Sequence, residues 1–462
     1  MACVLCIAFM KNQIRPRIIH RSDHPISRTM FSPNALKTLY RLRDNGHTAW
    51  LVGGCVRDLL LGREPKDFDI VTDAVPSRIK KLFRNCRLVG RRFRLAHLHF
   101  RDEIIEVSTF RAHVTNEGGQ EEADDLPDAE AAELPVPHPR RLVSEQGVVL
   151  RDNVFGTPAE DALRRDFTVN ALAYDISDFS IIDFVGGMED LRRGVIRTIG
   201  DPCVRFTEDP VRMLRAVRFA ALLGFSIEDS TWRALLDNAP AITLATAPRL
   251  YEETLKLFLS GEGEMTYQFM RKGGLFAPLF PGLDDWLGRE TDGFPHIEPG
   301  RSLEWMDRRL SSVWPASHPL LLALLFGGYL EERAARLREM GLPFQEAMNR
   351  AVAAFLGEQT PLVAIPHRMG VAVRDILLIQ NRLRRIPGKR PEGVLGRPCF
   401  RDALDYLRCR CEVTGDERGI LAWWEKFARE REAPVHERLG EPPKTARPRG
   451  RRRKRSKKPP VD

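Results

Sequence analysis

Residues 48–72 read TAWLVGGCVRDLLLGREPKDFDIVT. TAWLV is an apolar, β-rich run that stops at Gly53-Gly54, Val56 to Leu61 give a short apolar helix, and KDFDIVT (66–72) is again β-rich. Strand, glycine turn, helix and strand in this order predict a mixed α/β domain. In a strand over 66–72, Asp67 and Asp69 fall on one face while Phe68 and Ile70 point into the core. Two carboxylates so close repel unless a cation neutralises them, and such hard oxygen ligands suit Mg²⁺. An isolated Asp-x-Asp is more often a turn with two solvated aspartates. Here Gly53-Gly54-Cys55-Val56-Arg57-Asp58 stands just upstream. Small residues at a helix N-terminus can present backbone N–H groups to a phosphate, with Arg57 adding charge. A phosphate cradle and a metal dyad thirteen residues apart carry more together than either alone.

Outward from this stretch, NALKTLYRLRDNG (34–46) has helical spacing and is stopped by Gly46, and SRIKKLFRN (77–85) is helical. RLAHLHF (94–100) and EIIEVSTF (103–110) predict a hairpin around Arg101-Asp102. Within it Glu106 interrupts an apolar strand, and charged residues are rarely buried unpaired. If this strand lies beside KDFDIVT, Glu106 completes a three-carboxylate cage for two metal ions about 4 Å apart, the arrangement used for in-line phosphoryl transfer. The plain alternative is an edge-strand Glu facing water. His97 and His99 alternate on the first strand of this hairpin and are read as packing residues.

Between Arg111 and Leu150 the pattern collapses. Residues 117–133 carry eight carboxylates and no Lys or Arg, which reads as a solvated insertion at about 113–147. Thr157-Pro158-Ala159-Glu160 is a capping box that starts a helix. Helical periodicity dominates from about 205 to 432, with loops at 281–301 and 386–399. The expected fold class is α+β: a nucleotidyltransferase-type head with a small mixed or antiparallel sheet, then all-α neck, body and tail. The division is an arm at 1–33, a head at 34–200, a neck at 201–270, a body at 271–435 and a basic tail at 436–462.

Composition agrees with this division. The 462 residues exceed what one core usually supports. A hydrophobic fraction of 43% and a charged fraction of 29% exclude a wholly disordered, collagen-like or multi-span membrane protein. Of the net charge of +9, residues 441–462 supply +8, so the basicity is mostly one tail, a composition suited to polyanions. Eight cysteines are too sparse for a disulfide scaffold, and Cys3-x-x-Cys6 has no second pair to complete a zinc site. Reduced thiols in a cytoplasm fit best. The apolar residues 2–9 lack a preceding basic region, so no cleaved signal peptide is expected. LLLALLF (320–326) is too short to span a bilayer and reads as a buried helix.

The order GG-x-x-RD-LLLG, KDFDIVT, RRDFTVNALAYD (164–175) and EDPVRMLRAVRFAALLG (208–224) resembles the class II nucleotidyltransferases, the tRNA CCA-adding enzymes and bacterial poly(A) polymerases. These motifs cover residues 48 to 260 densely. KLFRNCRLVGRRFRLAH (81–97), VLRDNVFG (149–156), DALDYLRCRCEV (402–413), Trp423-Trp424 and the Arg-rich terminus are similar to the poly(A) polymerase branch. The acidic insertion is the clearest departure.

The resemblance implies that Gly53, Gly54, Arg57, Asp67 and Asp69 hold Mg·ATP with two Mg²⁺ ions, and that Arg165 and Arg215 belong to the nucleotide site. It further implies that Asp209 and Arg212, three apart at a helix opened by Pro210, read the incoming base. An Asp/Arg pair can satisfy adenine or cytosine, so this pair does not fix the base. Asp166 either caps a helix FTVNALAY or acts as a carboxylate of the site. Glu106 and Asp166 therefore compete for third place, with strand geometry favouring Glu106. The reading is a poly(A) polymerase adding AMP from ATP to RNA 3′ ends, on mRNA and other transcripts. A cytoplasmic monomer is expected, with no integral membrane segment and with proteins of RNA decay or RNA chaperoning as partners. The alternatives are a CCA-adding enzyme, which shares every head motif, and a catalytically silent RNA-binding factor. Arg-rich stretches such as NRLRRIPGKRPEG (381–393) would neutralise RNA phosphates without reading sequence.

Overall fold

A computed structural model describes residues 15–90, 95–112, 142–143, 149–151, 155–291, 294–310, 317–386, 388 and 390–439. Except for Leu142–Val143, the expected acidic insertion lies outside these residues, as does the basic tail from 440 onward. Contacts divide the chain into two units, residues 1–374 and 375–462.

The first unit opens on strand β1 (Arg17–Ile19), followed by the helix Pro33–Asp44. Ser32 caps that helix, its hydroxyl accepting the Ala35 N–H at 3.0 Å, and Pro33 occupies the first turn, where its missing N–H costs nothing. Ala35, Leu39 and Leu42 are fully buried, each leucine contributing about 1.5–3 kcal/mol. Strands β2 (Ala49–Val52), β3 (Asp69–Thr72), β4 (Cys86–Val89), β5 (Leu95–His99) and β6 (Ile104–Thr109) follow. Beyond them come β7 (Leu142–Val143), β8 (Val149–Arg151), β9 (Ala173–Asp175) and β10 (Ile181–Asp183).

Eight of these form one sheet in the order β1-β10-β9-β2-β3-β6-β5-β4, and β7 pairs with β8 apart from it. Within the sheet β3 and β6 run parallel and the remaining neighbours antiparallel. One face carries a core of Val52, Val71, Phe110, Ala173 and Ile182, with Trp50 and Phe184 packed against it. Leu51 and Ile70 alternate to the other face and are equally buried.

Several local expectations differ from what forms. The expected arm joins the head from Arg17 onward, because β1 pairs with β10. FTVNALAY is not a helix: a single 3₁₀ turn, Thr168–Asn170, leads into β9. Phe167, Leu172 and Tyr174 are buried there, and β9 is gripped between β2 and β10, so sheet pairing overrides local helical spacing. The strand of KDFDIVT begins only at Asp69, which leaves Asp67 in the loop before it. The helix expected over 77–85 ends at Leu82, and β4 begins at Cys86.

The capping box forms as read: the Thr157 hydroxyl accepts the Glu160 N–H at 3.3 Å, and Glu160 Oε2 accepts the Thr157 N–H at 2.8 Å. Helices then prevail, from Pro202–Glu208 and Val211–Leu223 through Ala247–Phe258 and Gly263–Lys272 to His318–Glu339 and Phe344–Gln359. The expected loop at 281–301 contains the helix Pro281–Leu287 and the start of another at Glu298. That at 386–399 contains the short helix Glu392–Leu395. Leu320 to Phe326 are all buried within a helix, as their apolar run requires. In the second unit, Trp424 is buried and donates its indole N–H to the Leu383 carbonyl at 2.9 Å. Cys409 and Cys411 are both buried in the helix Phe400–Thr414. Among the described residues no helix is long and apolar enough to cross a membrane.

Candidate active site

The parallel pairing of β3 with β6 sets Asp69 directly beside Glu106. Val52 lies beside Asp69 on its other flank, so the carboxylates stand at one end of the face that carries the head core. Burial is the largest influence on the Asp69 carboxyl and pushes it up to about 6; the charges of Glu106 and Asp67 push the same way, while Arg165 and Arg215 oppose them. This anionic crowding suits a divalent cation. Among the described residues, however, no three carboxylate, His or Cys side chains converge tightly enough to hold an ion alone. The expected three-carboxylate cage is therefore not closed by the protein. Asp67 and Asp69 still fit Mg²⁺, which is commonly held by one or two carboxylates with water and substrate phosphates completing its shell.

The glycine pair borders the same point. Gly53 has φ +79°, a conformation that L side chains rarely adopt, and a Cβ there would stand 3.2 Å from Arg165 Nη1 and 3.9 Å from Asp69 Oδ2. The turn therefore leaves room beside the carboxylate. Its N–H is already donated to the Leu172 carbonyl at 3.2 Å, so Gly53 does not offer the free donor expected of a phosphate cradle. Beside Gly54, a Cβ would lie 3.6 Å from Arg57 Nη2.

Arg57 also differs from expectation. It is 4% exposed, donates to Asp58 Oδ1 at 2.9 and 2.7 Å and to Asn170 Oδ1 at 2.6 Å, and lies over the Phe219 ring at 5.0 Å. It braces the glycine turn against the 3₁₀ turn. Arg165 is the cation beside Gly53, held by Asp161 Oδ2 at 3.1 Å and reaching the Asn170 carbonyl at 3.4 Å.

Asp166 is engaged by the helix Val211–Leu223. Arg215 Nε and Nη2 both reach its Oδ2 at 2.6 Å, and its Oδ1 accepts the Phe167 N–H at 2.8 Å and Asn170 Nδ2 at 3.2 Å. Burial pushes this carboxyl up, but Arg215 and these donors outweigh it and hold it at about 2. Buried Arg205 secures the same segment, donating to the carbonyls of Arg164 and Arg165 and pairing with Glu208 at 2.8 Å.

Asp209 and Arg212 do not pair through their side chains. Asp209 is not yet helical, with φ −150° and ψ 91°, so the three-residue spacing does not align it with Arg212. Arg249, from the helix Ala247–Phe258, grips both carboxylate oxygens of Asp209 at 2.6 and 2.8 Å. Arg212 Nη1 donates to Glu208 Oε2 at 3.1 Å and to the Arg205 carbonyl at 2.9 Å. Arg249 and Glu208 were not singled out by the motif, although Glu208 opens it; Asn170 lies inside RRDFTVNALAYD, where only its Arg and Asp were weighed.

Family models match three segments of the chain. They are the "Poly A polymerase head domain" at 49–197, the "Probable RNA and SrmB- binding site of polymerase A" at 224–287 and the "Polymerase A arginine-rich C-terminus" at 340–458. The chain is 43% identical over 450 residues to Poly(A) polymerase I of Salmonella typhi, covering 95% of this chain and 92% of that protein. The CCA-adding enzyme of Lactobacillus helveticus is 36% identical over 282 residues, 61% of each chain. The fold matches the crystal structure of the Bacillus stearothermophilus CCA-adding enzyme in complex with CTP, with a TM-score of 0.57, 25% identity and coverage of 90% of each chain. Similarity to the poly(A) polymerase thus runs almost end to end, whereas similarity to the L. helveticus CCA-adding enzyme stops at about three-fifths. The chain belongs to the bacterial poly(A) polymerase family and is a polynucleotide adenylyltransferase.

Proposed function

We propose that the enzyme transfers AMP from ATP to the 3′-hydroxyl of RNA with release of pyrophosphate, and that it acts in mRNA polyadenylation and turnover. The observation that carries this reading is the placement of Asp69 beside Glu106 next to a side-chain-free turn and the Arg165 cation. Asp67 and Asp69, with Glu106 adjacent, would hold two Mg²⁺ ions, which when bound neutralise the triphosphate, acidify the 3′-hydroxyl and stabilise the departing pyrophosphate. Gly53 and Gly54 keep side chains out of the space the phosphates need. Arg165 and Arg215 place positive charge on that side of Asp69, since both lower its pKa. Asp166 holds Arg215 in position, and Arg57 holds the glycine turn.

Asp209 and Arg212 read the base edge, the first fixed by Arg249 and the second by Glu208. Fixing each partner separately sets donor and acceptor before the nucleotide arrives, so less ordering is left to binding. The helical segments at 201–270 and 271–435 hold the RNA 3′ end. No covalent enzyme intermediate is needed.

The test offers the purified enzyme ATP or CTP with either an unstructured RNA or a tRNA lacking its 3′ terminus, and measures product length. Long A tails from ATP alone are expected; CTP-dependent addition that stops after three nucleotides would instead make this a CCA-adding enzyme. Asp67→Ala and Asp69→Ala should abolish incorporation while RNA affinity stays close to that of the parent. Full turnover in either variant would overturn the site assignment.

A further inference from the structure

The row of paired positions that holds Asp69 and Glu106 continues one strand further. On β5, His97 stands opposite Glu106 in antiparallel register, which puts both on the same face of the sheet. His97 Nε2 lies 3.4 Å from Glu106 Oε2. Glu106 is therefore flanked by a like charge on β3 and by an imidazole on β5. Packing does not account for this histidine. The buried positions of β5 are Ala96 and Leu98, 1% and 0% exposed, whereas the side chains of His97 and Glu106 are 28% and 43% exposed.

A glutamate has three rotatable side-chain bonds, and repulsion from Asp69 favours rotamers that swing its carboxylate away. A ring N–H on the far flank counters that swing, as the outer partners of metal-binding carboxylates commonly do. We propose that His97 is a positioning residue that holds the Glu106 carboxylate beside Asp69, so that both present oxygens to the same divalent ion. The role needs a donor at Nε2, which the Nε2–H tautomer and the charged ring both supply. The 3.4 Å separation is long for a hydrogen bond and shortens once the nucleotide and its cation are in place. This inference rests on the reading of Glu106 as the third carboxylate of the site.

The test compares His97→Ala, His97→Gln, His97→Asn, Glu106→Gln and the Ala/Gln double variant in the full-length enzyme. Two quantities are read: the Mg²⁺ concentration giving half-maximal incorporation, and the Mg²⁺ dissociation constant from calorimetry with a non-hydrolysable ATP analogue. His97→Ala should raise both about tenfold, the lower end of the effect expected for such partners, with RNA affinity unchanged. His97→Gln, whose amide nitrogen reaches the position of Nε2, should restore most of the loss, and His97→Asn, one bond shorter, should not. In the Glu106→Gln background, His97→Ala should add nothing, because the two act as one unit. If Glu106→Gln shifts the Mg²⁺ dependence and His97→Ala does not, or if their effects multiply, the positioning role is overturned and the site assignment stands. If Glu106→Gln itself leaves Mg²⁺ binding unchanged, the reading of Glu106 fails and this inference with it. Should the Ala variant not fold, the Gln and Asn pair decides by the same criterion.

Discussion

Replacing Asp166 by Asn separates a carboxylate that holds the frame of the site from one that takes part in chemistry. Its two oxygens are taken up by Arg215, Phe167 N–H and Asn170, and it is held at about 2 against an ordinary value of 3.8. A depressed folded pKa means that the ionised group contributes stability at and above the unfolded value, and that this contribution is lost as pH falls through the folded one. At about 1.4 kcal/mol per pH unit, the contribution is about 2 kcal/mol, lost between about pH 4 and pH 2. The variant suffers more than this loss, because the Arg215 side chain, one-third exposed, keeps its charge without its anion. Breaking a buried pair by removing one partner costs about 3–5 kcal/mol, and the partial exposure of Arg215 sets the expected value near the lower limit, about 3 kcal/mol. Urea unfolding of the parent and Asp166→Asn, followed by fluorescence and circular dichroism at about pH 7 and at steps down the acid limb, measures the gap. The gap should be widest near neutrality and narrow as the parent loses its ion pair, while the folded variant still turns over at saturating Mg²⁺ and ATP. A variant as stable as the parent but devoid of turnover would refute the reasoning and place Asp166 among the reacting groups.

Gly53→Ala should cost about 1–3 kcal/mol in stability from its backbone conformation alone, and its Cβ, 3.2 Å from Arg165 Nη1, should also raise KM for ATP. Steady-state kinetics with ATP, set against the thermal midpoint, check this. Arg249→Met removes the grip of Arg249 on both oxygens of Asp209, and should lower kcat/KM for ATP about tenfold, equivalent to about 1.4 kcal/mol, in steady-state kinetics.

Most of the site could be read from the order of residues because its signals are local. Asp69 and Glu106 each interrupt apolar, β-rich runs, and a charge in such a run calls for a partner. Gly53 is marked by the turn that must join a strand to a helix. Asp67, though two residues from Asp69, escapes the strand rule because pairing begins only at Asp69. The residues that fix Asp209, Arg57 and Glu106 could not be read in this way. Arg249 is forty residues from Asp209, and Asn170 is 113 from Arg57. His97 looks like any histidine until register sets it against Glu106.

The sequence alone therefore determined the class of chemistry and the elements that bear it, because period, turn residues and charge within apolar runs are properties of short windows of chain. Only the tertiary structure decided which cation meets which anion, Arg215 with Asp166 and Arg249 with Asp209, and that Arg57 donates to the Asn170 side-chain oxygen. It also decided that FTVNALAY yields a strand, since β9 gains more by pairing with β2 and β10 than its helical spacing could return. Ion pairs depend on distance in space, and burial depends on what packs above a residue; neither quantity exists until distant segments meet.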